Sequence, residues 1–262
     1  MLSRATAAAL IALALSAPAA ATAGGKSSGA LVVERGPGAR IDWTRGLVVA
    51  RGAAAADLRA PSPQVARLAA ERRARSAAQA RLRELAKGLK LADGRTLAAA
   101  LGKDKAAAAR FDRAVARSLD LAVDHTSDGS VVLSAGLPIE AIRTAAGGPM
   151  DLPTGAGASA GARASASELP TALVVSAGKH LSRPAVGVVL TAGGERYAGP
   201  TVFASREAAV AADRLGPRPV RVKASGGSGG SLELAGAGAA THLAGARAAG
   251  ALVVIVVAEK PN

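Results

Sequence analysis

Leu47-Val48-Val49-Ala50-Arg51-Gly52, followed after an Ala-rich stretch by Ser62-Pro63-Gln64-Val65-Ala66-Arg67-Leu68-Ala69, is the passage on which the fold turns. The first part is a β-prone run closed by a glycine. In the second, Ser62 is placed to cap free amides, and Pro63 at the first helical position gives up no hydrogen bond. The helical pattern runs to about Lys87 and meets a breaker at Gly88. Val65, Leu68, Ala69, Leu82, Leu85 and Ala86 fall on one stripe at helical spacing, and Ala77 and Ala78 keep the middle narrow for a close neighbour. A strand running into a long helix predicts an α+β fold with a helical layer on a sheet.

Working outward from that passage, Ala30 to Glu34 and Ile41 to Arg51 read as strands, and Asp104 to Arg117 as a second helix with Phe111, Ala114 and Val115 inward. Leu119 to His125 and Ser130 to Ala135 flank Asp128-Gly129, the strongest short hairpin signal in the chain. Pro138 to Thr144 suits a short helix. The segment 30–146 is therefore expected to be an N-terminal α+β domain of order β-α-α-β-β. Residues 147–169 turn to Gly, Ala, Ser and Pro without periodicity, as a flexible linker would. The segment 170–262 reads as a second α+β domain of about five strands and two helices. Its strands are Thr171 to Ser176, Ala185 to Thr191, Glu195 to Tyr197, Val220 to Lys223 continuing at Leu232 to Leu234, and Ala251 to Ala258. Its helices are Arg206 to Asp213 and Ala239 to Ala249, and Ser225 to Ser231 reads as a flexible turn. The expected fold class is α+β in two small domains, each a mixed or antiparallel sheet packed with helices.

The start of the chain has the three parts of an export signal. Arg4 supplies a positive charge, Ala5 to Leu15 form a short apolar run, and Ala21-Thr22-Ala23 closes it in the A-x-A form that signal peptidase reads. Residues 1–23 are accordingly expected to be a signal peptide cleaved after Ala23. The apolar run is shorter than the roughly 20 residues a membrane span needs. No later segment is long enough either, so no transmembrane segment is expected after cleavage. The chain contains no cysteine, which leaves no disulfide and no site for lipid on an N-terminal cysteine.

The formal net charge is +14, with Arg well ahead of Lys. A nucleic-acid partner is not expected: the basic residues are dispersed, and Trp43, Tyr197, Phe111 and Phe203 are the only aromatics to stack on bases. Anionic envelope polymers, peptidoglycan or lipopolysaccharide, suit an exported basic protein better, but a plain solvated surface is the favoured reading of the charge over either. The best candidate contact is the face of the long helix carrying Arg72, Arg73, Arg75, Arg81 and Arg83, which serves either as a binding face or as a solvated surface. Within it, Glu71 and Arg75 can pair one turn apart, for about 0.3 kcal/mol.

No motif points to catalysis or a cofactor. The run Gly226 to Gly230 lacks the Lys-Ser/Thr ending of a phosphate loop, and a strand follows it instead of a helix. His125, His180 and His242 lie far apart with no second ligand at helix or hairpin spacing, so no metal site is expected. There is no G-x-S-x-G elbow and no cysteine nucleophile. Trp43 reads as an anchor packing the first strands onto the long helix.

These parts together resemble a known family. Asp42-Trp43-Thr44-Arg45-Gly46-Leu47-Val48-Val49-Ala50-Arg51-Gly52, Ser62-Pro63, the helix end Arg81-Leu82-Arg83-Glu84-Leu85-Ala86-Lys87-Gly88-Leu89 and the Asp128-Gly129 hairpin resemble the Lpp-twenty-type family of bacterial envelope proteins. That family includes outer-membrane lipoproteins and is similar to the N-terminal module of a flagellar T-ring assembly protein. Ala172 to Gly178, Pro184-Ala185-Val186, Gly194 to Gly199 and Val253 to Val257 resemble the C-terminal region of longer members. This chain departs from the pattern in lacking the lipidated cysteine and in carrying Ser176-Ala177-Gly178 where longer members tend to show Asp-Ala-Arg. The resemblance implies a non-enzymatic structural or assembly role in the periplasm or at the outer membrane, flagellar structures included, with envelope proteins as partners. It carries over no catalytic residues. An anionic-polymer binding module is the alternative expectation, and an unrecognised hydrolase a more distant one.

Overall fold

The computed structural model describes residues 30–147, 169–207, 210–228 and 230–257. The expected signal peptide lies outside these residues, as does nearly all of the expected linker.

The first half builds a five-stranded sheet in which every neighbouring pair is antiparallel. Its strands are β1 (Val32–Glu34), β2 (Ala39–Asp42), β3 (Leu47–Ala54), β4 (Leu119–His125) and β5 (Val131–Pro138), in the order β1-β2-β3-β5-β4. The expected single strand Ile41 to Arg51 is thus two strands. Gly46, at φ +71°, lets the chain reverse between them, and the Asp42 carboxylate accepts the Arg45 amide at 2.8 Å to close the turn.

Helix α1 (Pro63–Lys87) begins and ends where its capping residues place it, with the Ser62 hydroxyl accepting the Val65 amide at 3.3 Å. Its buried stripe differs from the expected one. Ala66, Ala70, Ala74, Ala78, Leu82 and Ala86 face the sheet, whereas Val65 is 46% and Leu68 54% exposed. The reason is the closeness of helix to strand: a Cβ added to Gly52 would lie 2.0 Å from the Ala74 carbonyl oxygen and 2.4 Å from the Ala78 nitrogen. Backbone rests against backbone at this point, and only glycine and alanine fit between. The bulkier Val65 and Leu68 are turned outward.

A short helix not foreseen from the sequence, α2 (Leu97–Leu101), is capped by the Thr96 hydroxyl, which accepts the Ala99 amide at 3.2 Å. In α3 (Lys105–Ala116), Asp104 accepts the amides of Ala106 and Ala107 at 2.8 and 3.0 Å, and Phe111 and Val115 are buried. The β4–β5 hairpin turns at Gly129, φ +79°, and α4 (Ile139–Ala145) follows β5.

The second half forms a seven-stranded mixed sheet in the order β8-β7-β11-β10-β6-β12-β9. Its strands are β6 (Ala172–Gly178), β7 (Val189–Ala192), β8 (Glu195–Tyr197), β9 (Thr201–Ala204), β10 (Pro219–Ser228), β11 (Ser231–Ala235) and β12 (Leu252–Val257), with α5 (Ala212–Leu215) and α6 (Ala239–Ala249). The sequence reading therefore undercounts the strands by missing β9 and by splitting the hairpin differently. The glycine-serine run expected to be a flexible turn is extended and paired, with Gly226, Gly227 and Ser228 opposite Glu233, Leu232 and Ser231. β7 starts at Val189, later than expected, because Val186 bonds to the first half instead. The helix expected over Arg206 to Asp213 is placed at α5.

β6 and β12 pair in parallel inside this sheet, flanked by β10 and β9, and are apolar on both faces. Leu173, Val175, Val253 and Ile255 join a core that continues through Trp43, Val48, Leu82 and Phe111 of the first half. Val174 and Val254 face a second cluster with Val210 and Leu215.

The halves meet along Trp43 and Thr44. The Trp43 and Phe203 rings are edge-to-face at 5.6 Å, so Trp43 anchors the second half as well as its own. The Phe203 amide donates to the Trp43 carbonyl (3.1 Å), the Thr44 hydroxyl donates to the Phe203 carbonyl (2.9 Å), and Arg214 donates to the Thr44 carbonyl (2.9 Å). A second seam joins Val186 to the loop after α1, through Ala92 N to Val186 O and Val186 N to Lys90 O, each 2.9 Å.

Candidate functional site

The five arginines singled out on α1 do not share one face. Arg73 and Arg81 reach toward β3 and donate to the carbonyls of Ala55 (2.7 Å) and Arg51 (2.8 Å). Arg75 and Arg83 reach to the other side of the helix. Arg75 binds Asp120 of β4 at 2.6 Å and Glu71 at 3.3 Å, and Arg83 binds Asp112 of α3 at 3.0 Å. The hydrogen bond to Asp120 is the main cause that raises the Arg75 guanidinium above its ordinary pKa. Arg72 is exposed and has no side-chain partner among the described residues. Four of the five cations thus clip α1 to its neighbours. Each exposed pair is worth under about 1 kcal/mol, but together they fix how the helix lies on the sheet.

Two features that composition and spacing did not reveal are more open. The first is the β4 edge. Sheet order leaves the outer side of β4 unpaired among the described residues, and all seven of its residues are exposed. Leu119 (51%), Leu121 (44%) and Val123 (36%) are among the most exposed large apolar side chains in the structure. The other edge strands are shorter, with three residues in β1 and β8 and four in β9. β9 is also covered in part by the bridge from Ala30 to Ala204. A bulge between Asp120 and Ala122 twists β4, and Asp124 adds charge farther along the strand. Bulges and charges of this kind restrict which strands can pair with an edge. The sequence did signal the hairpin, but nothing in it shows that β5 and not β4 lies inside the sheet.

The second is a cavity of about 440 Å³ at the Val186 seam. Its walls come from the loop after α1 (Leu91, Asp93, Arg95), the end of α4 (Arg143) and β7–β8 of the second half (Val189, Arg196). Asp93 and Arg95 pair at 2.6 Å, which lowers the pKa of the acid and raises that of the base. Arg143 is buried, forks onto Glu140 and donates to the Ala198 carbonyl at 2.7 Å.

Compared with the models of known protein families and with curated proteins, the chain matches none. Its chemistry must be read from its own residues. No histidine lines the cavity, and its one acid, Asp93, is held by Arg95. His125 ends β4, His180 follows β6, and His242 lies in α6. Among the described residues no three His, Asp or Glu side chains gather where a metal ion could be held. Among them, too, no helix is long and apolar enough to cross a membrane.

Proposed function

We propose that this chain is an exported, non-enzymatic protein of the bacterial envelope that acts as an assembly factor, accepting a strand of a protein partner along β4. The observation that carries this reading is the open, seven-residue β4 edge with Leu119, Leu121 and Val123 exposed. Such an edge offers a row of amide donors and carbonyl acceptors at fixed spacing, while its alternating side chains supply selectivity. The bulge and the charge at Asp124 narrow the choice of partner. The signal-like residues 1–23 and the resemblance to envelope proteins support the compartment. The alternative of an anionic polymer held on α1 has less support, because Arg73, Arg75, Arg81 and Arg83 are engaged within the chain.

Fractionation of the native host with gentle co-purification tests this, using the wild type beside a Leu119→Lys, Val123→Lys pair. Both positions are exposed, so the pair should fold with little change in stability, while lysines along an edge oppose strand addition. The wild type should sediment with outer membrane or flagellar basal bodies and bring defined envelope proteins, and the variant should lose them. Recovery of the wild type as a free monomer from the periplasm, or unchanged partners on the variant, would sink the proposal.

A further inference from the structure

The cavity at the seam has the chemistry of a small-anion site, independent of anything β4 does. Its volume, about 440 Å³, lies in the range of roughly 300–1,000 Å³ common to small-molecule pockets. Among the described residues three guanidinium groups line it, from Arg95, Arg143 and Arg196, against a single carboxylate, Asp93. Asp93 is matched by Arg95, and Arg143 by Glu140. Arg196 is exposed and has no side-chain partner among the described residues, so one positive charge on the wall is uncompensated.

The hydroxyls on the wall sharpen the choice of ligand. Ser231 gives its proton to the Ser228 carbonyl at 2.8 Å and Thr191 gives its own to the Leu232 carbonyl at 3.4 Å. Both hydroxyl protons are thus engaged within the chain. The side-chain donors left for a ligand are guanidinium groups, whose planar forks match the paired oxygens of a carboxylate or phosphate. Leu91, Val186 and Val189 supply an apolar wall for the rest of the molecule.

We propose that this cavity binds a small organic acid, a carboxylate or phosphate monoester on a short, partly apolar body, with Arg196 holding its oxyanion and the Arg95–Asp93 pair beside it. Arg95 belongs to the first half of the chain and Arg196 to the second. An occupant bridges the Val186 seam and stabilises the docked halves increasingly as its concentration rises above its dissociation constant.

Calorimetric titration and thermal unfolding of the mature chain test the site, with inorganic phosphate and succinate as separate probes against sodium chloride at equal ionic strength. The expected result is saturable, one-to-one binding of at least one probe, with a raised melting temperature. Arg196→Gln should weaken binding tenfold or more, while Arg72→Gln on the far helix leaves it unchanged. Binding of phosphate alone or succinate alone names the group that the site prefers. Should Arg196→Gln not fold, Arg196→Lys keeps the charge without the fork and should still weaken binding. No saturable binding of either probe, or equal weakening by the Arg72 and Arg196 changes, overturns the proposal.

Discussion

Replacing Gly52 with alanine sets two physical effects against each other. Gly52 sits within β3, and alanine there removes backbone freedom from the unfolded chain, which alone would stabilise the fold by roughly 0.5–1 kcal/mol. The structure predicts the opposite. The added Cβ would lie 2.0 Å from the Ala74 oxygen and 2.4 Å from the Ala78 nitrogen, where ordinary contact begins at 3.4 Å. Both obstacles are helix backbone and cannot rotate aside, so α1 must retreat from β3 by about 1.4 Å or bend, the shortfall at the closer atom. Overpacking typically costs about 1–3 kcal/mol. A retreat also opens the seam along Ala70, Ala74, Ala78 and Leu82, which loses dispersion contacts over its length. The expected net loss is about 3 kcal/mol or more, a large share of the roughly 5–15 kcal/mol that holds a domain together. Urea unfolding followed by far-ultraviolet circular dichroism measures it. Gly88→Ala is the control, because its Cβ would meet only the Leu85 oxygen at 3.5 Å and its φ is −76°. The control should stay within about 0.5 kcal/mol of wild type. A Gly52→Ala protein as stable as the wild type, or more so, would refute the close-packing account of the alanine stripe.

Two further outcomes are expected. Thr44→Val removes a hydroxyl that donates to the Phe203 carbonyl and accepts the Leu31 amide, each at 2.9 Å. Leaving those groups without partners should cost about 1–3 kcal/mol in the same unfolding assay, and a neutral result would mean that water replaces the hydroxyl at the joint. The Asp128 carboxyl is held down from 3.8 to about 2, first by the Thr126 hydroxyl and then by the Ser130 amide and hydroxyl. A depressed carboxyl stabilises the folded state above its unfolded pKa, and that contribution fades as pH falls from near 3.8 through about 2. Asp128→Asn should therefore weaken the β4–β5 hairpin near neutral pH and flatten the acid dependence of unfolding over that interval. An unchanged acid profile would show that the turn owes nothing to this charge.

The parts of the fold legible in the sequence are those set by groups a few residues apart. Ser62-Pro63 starts α1, Asp104 starts α3, and Asp128-Gly129 turns the β4–β5 hairpin, because a cap or a left-handed glycine acts on backbone within one turn of itself. The run Leu252–Val257 announces a strand covered on both faces, since no polar residue interrupts it. The α+β class follows from these elements.

The sequence is silent wherever the partner lies far along the chain. β9 was missed because its short apolar run becomes a strand only beside β12, some fifty residues later. The glycine-serine run of β10 is extended because β11 supplies its hydrogen bonds, against its own conformational preference. The candidate sites belong to the same class. Nothing local distinguishes Arg72, which has no side-chain partner among the described residues, from Arg75, which finds Asp120 forty-five residues away. Nothing local places Arg95 and Arg196 around one cavity or leaves β4 at the edge of its sheet. What the sequence alone determined is where α1 and α3 start and where the β4–β5 hairpin turns, because those free energies are settled within a few residues. Which alanines are buried, which arginines are consumed and which edge stays open were decided by the tertiary structure, because each depends on close approach between segments whose separation no local signal encodes.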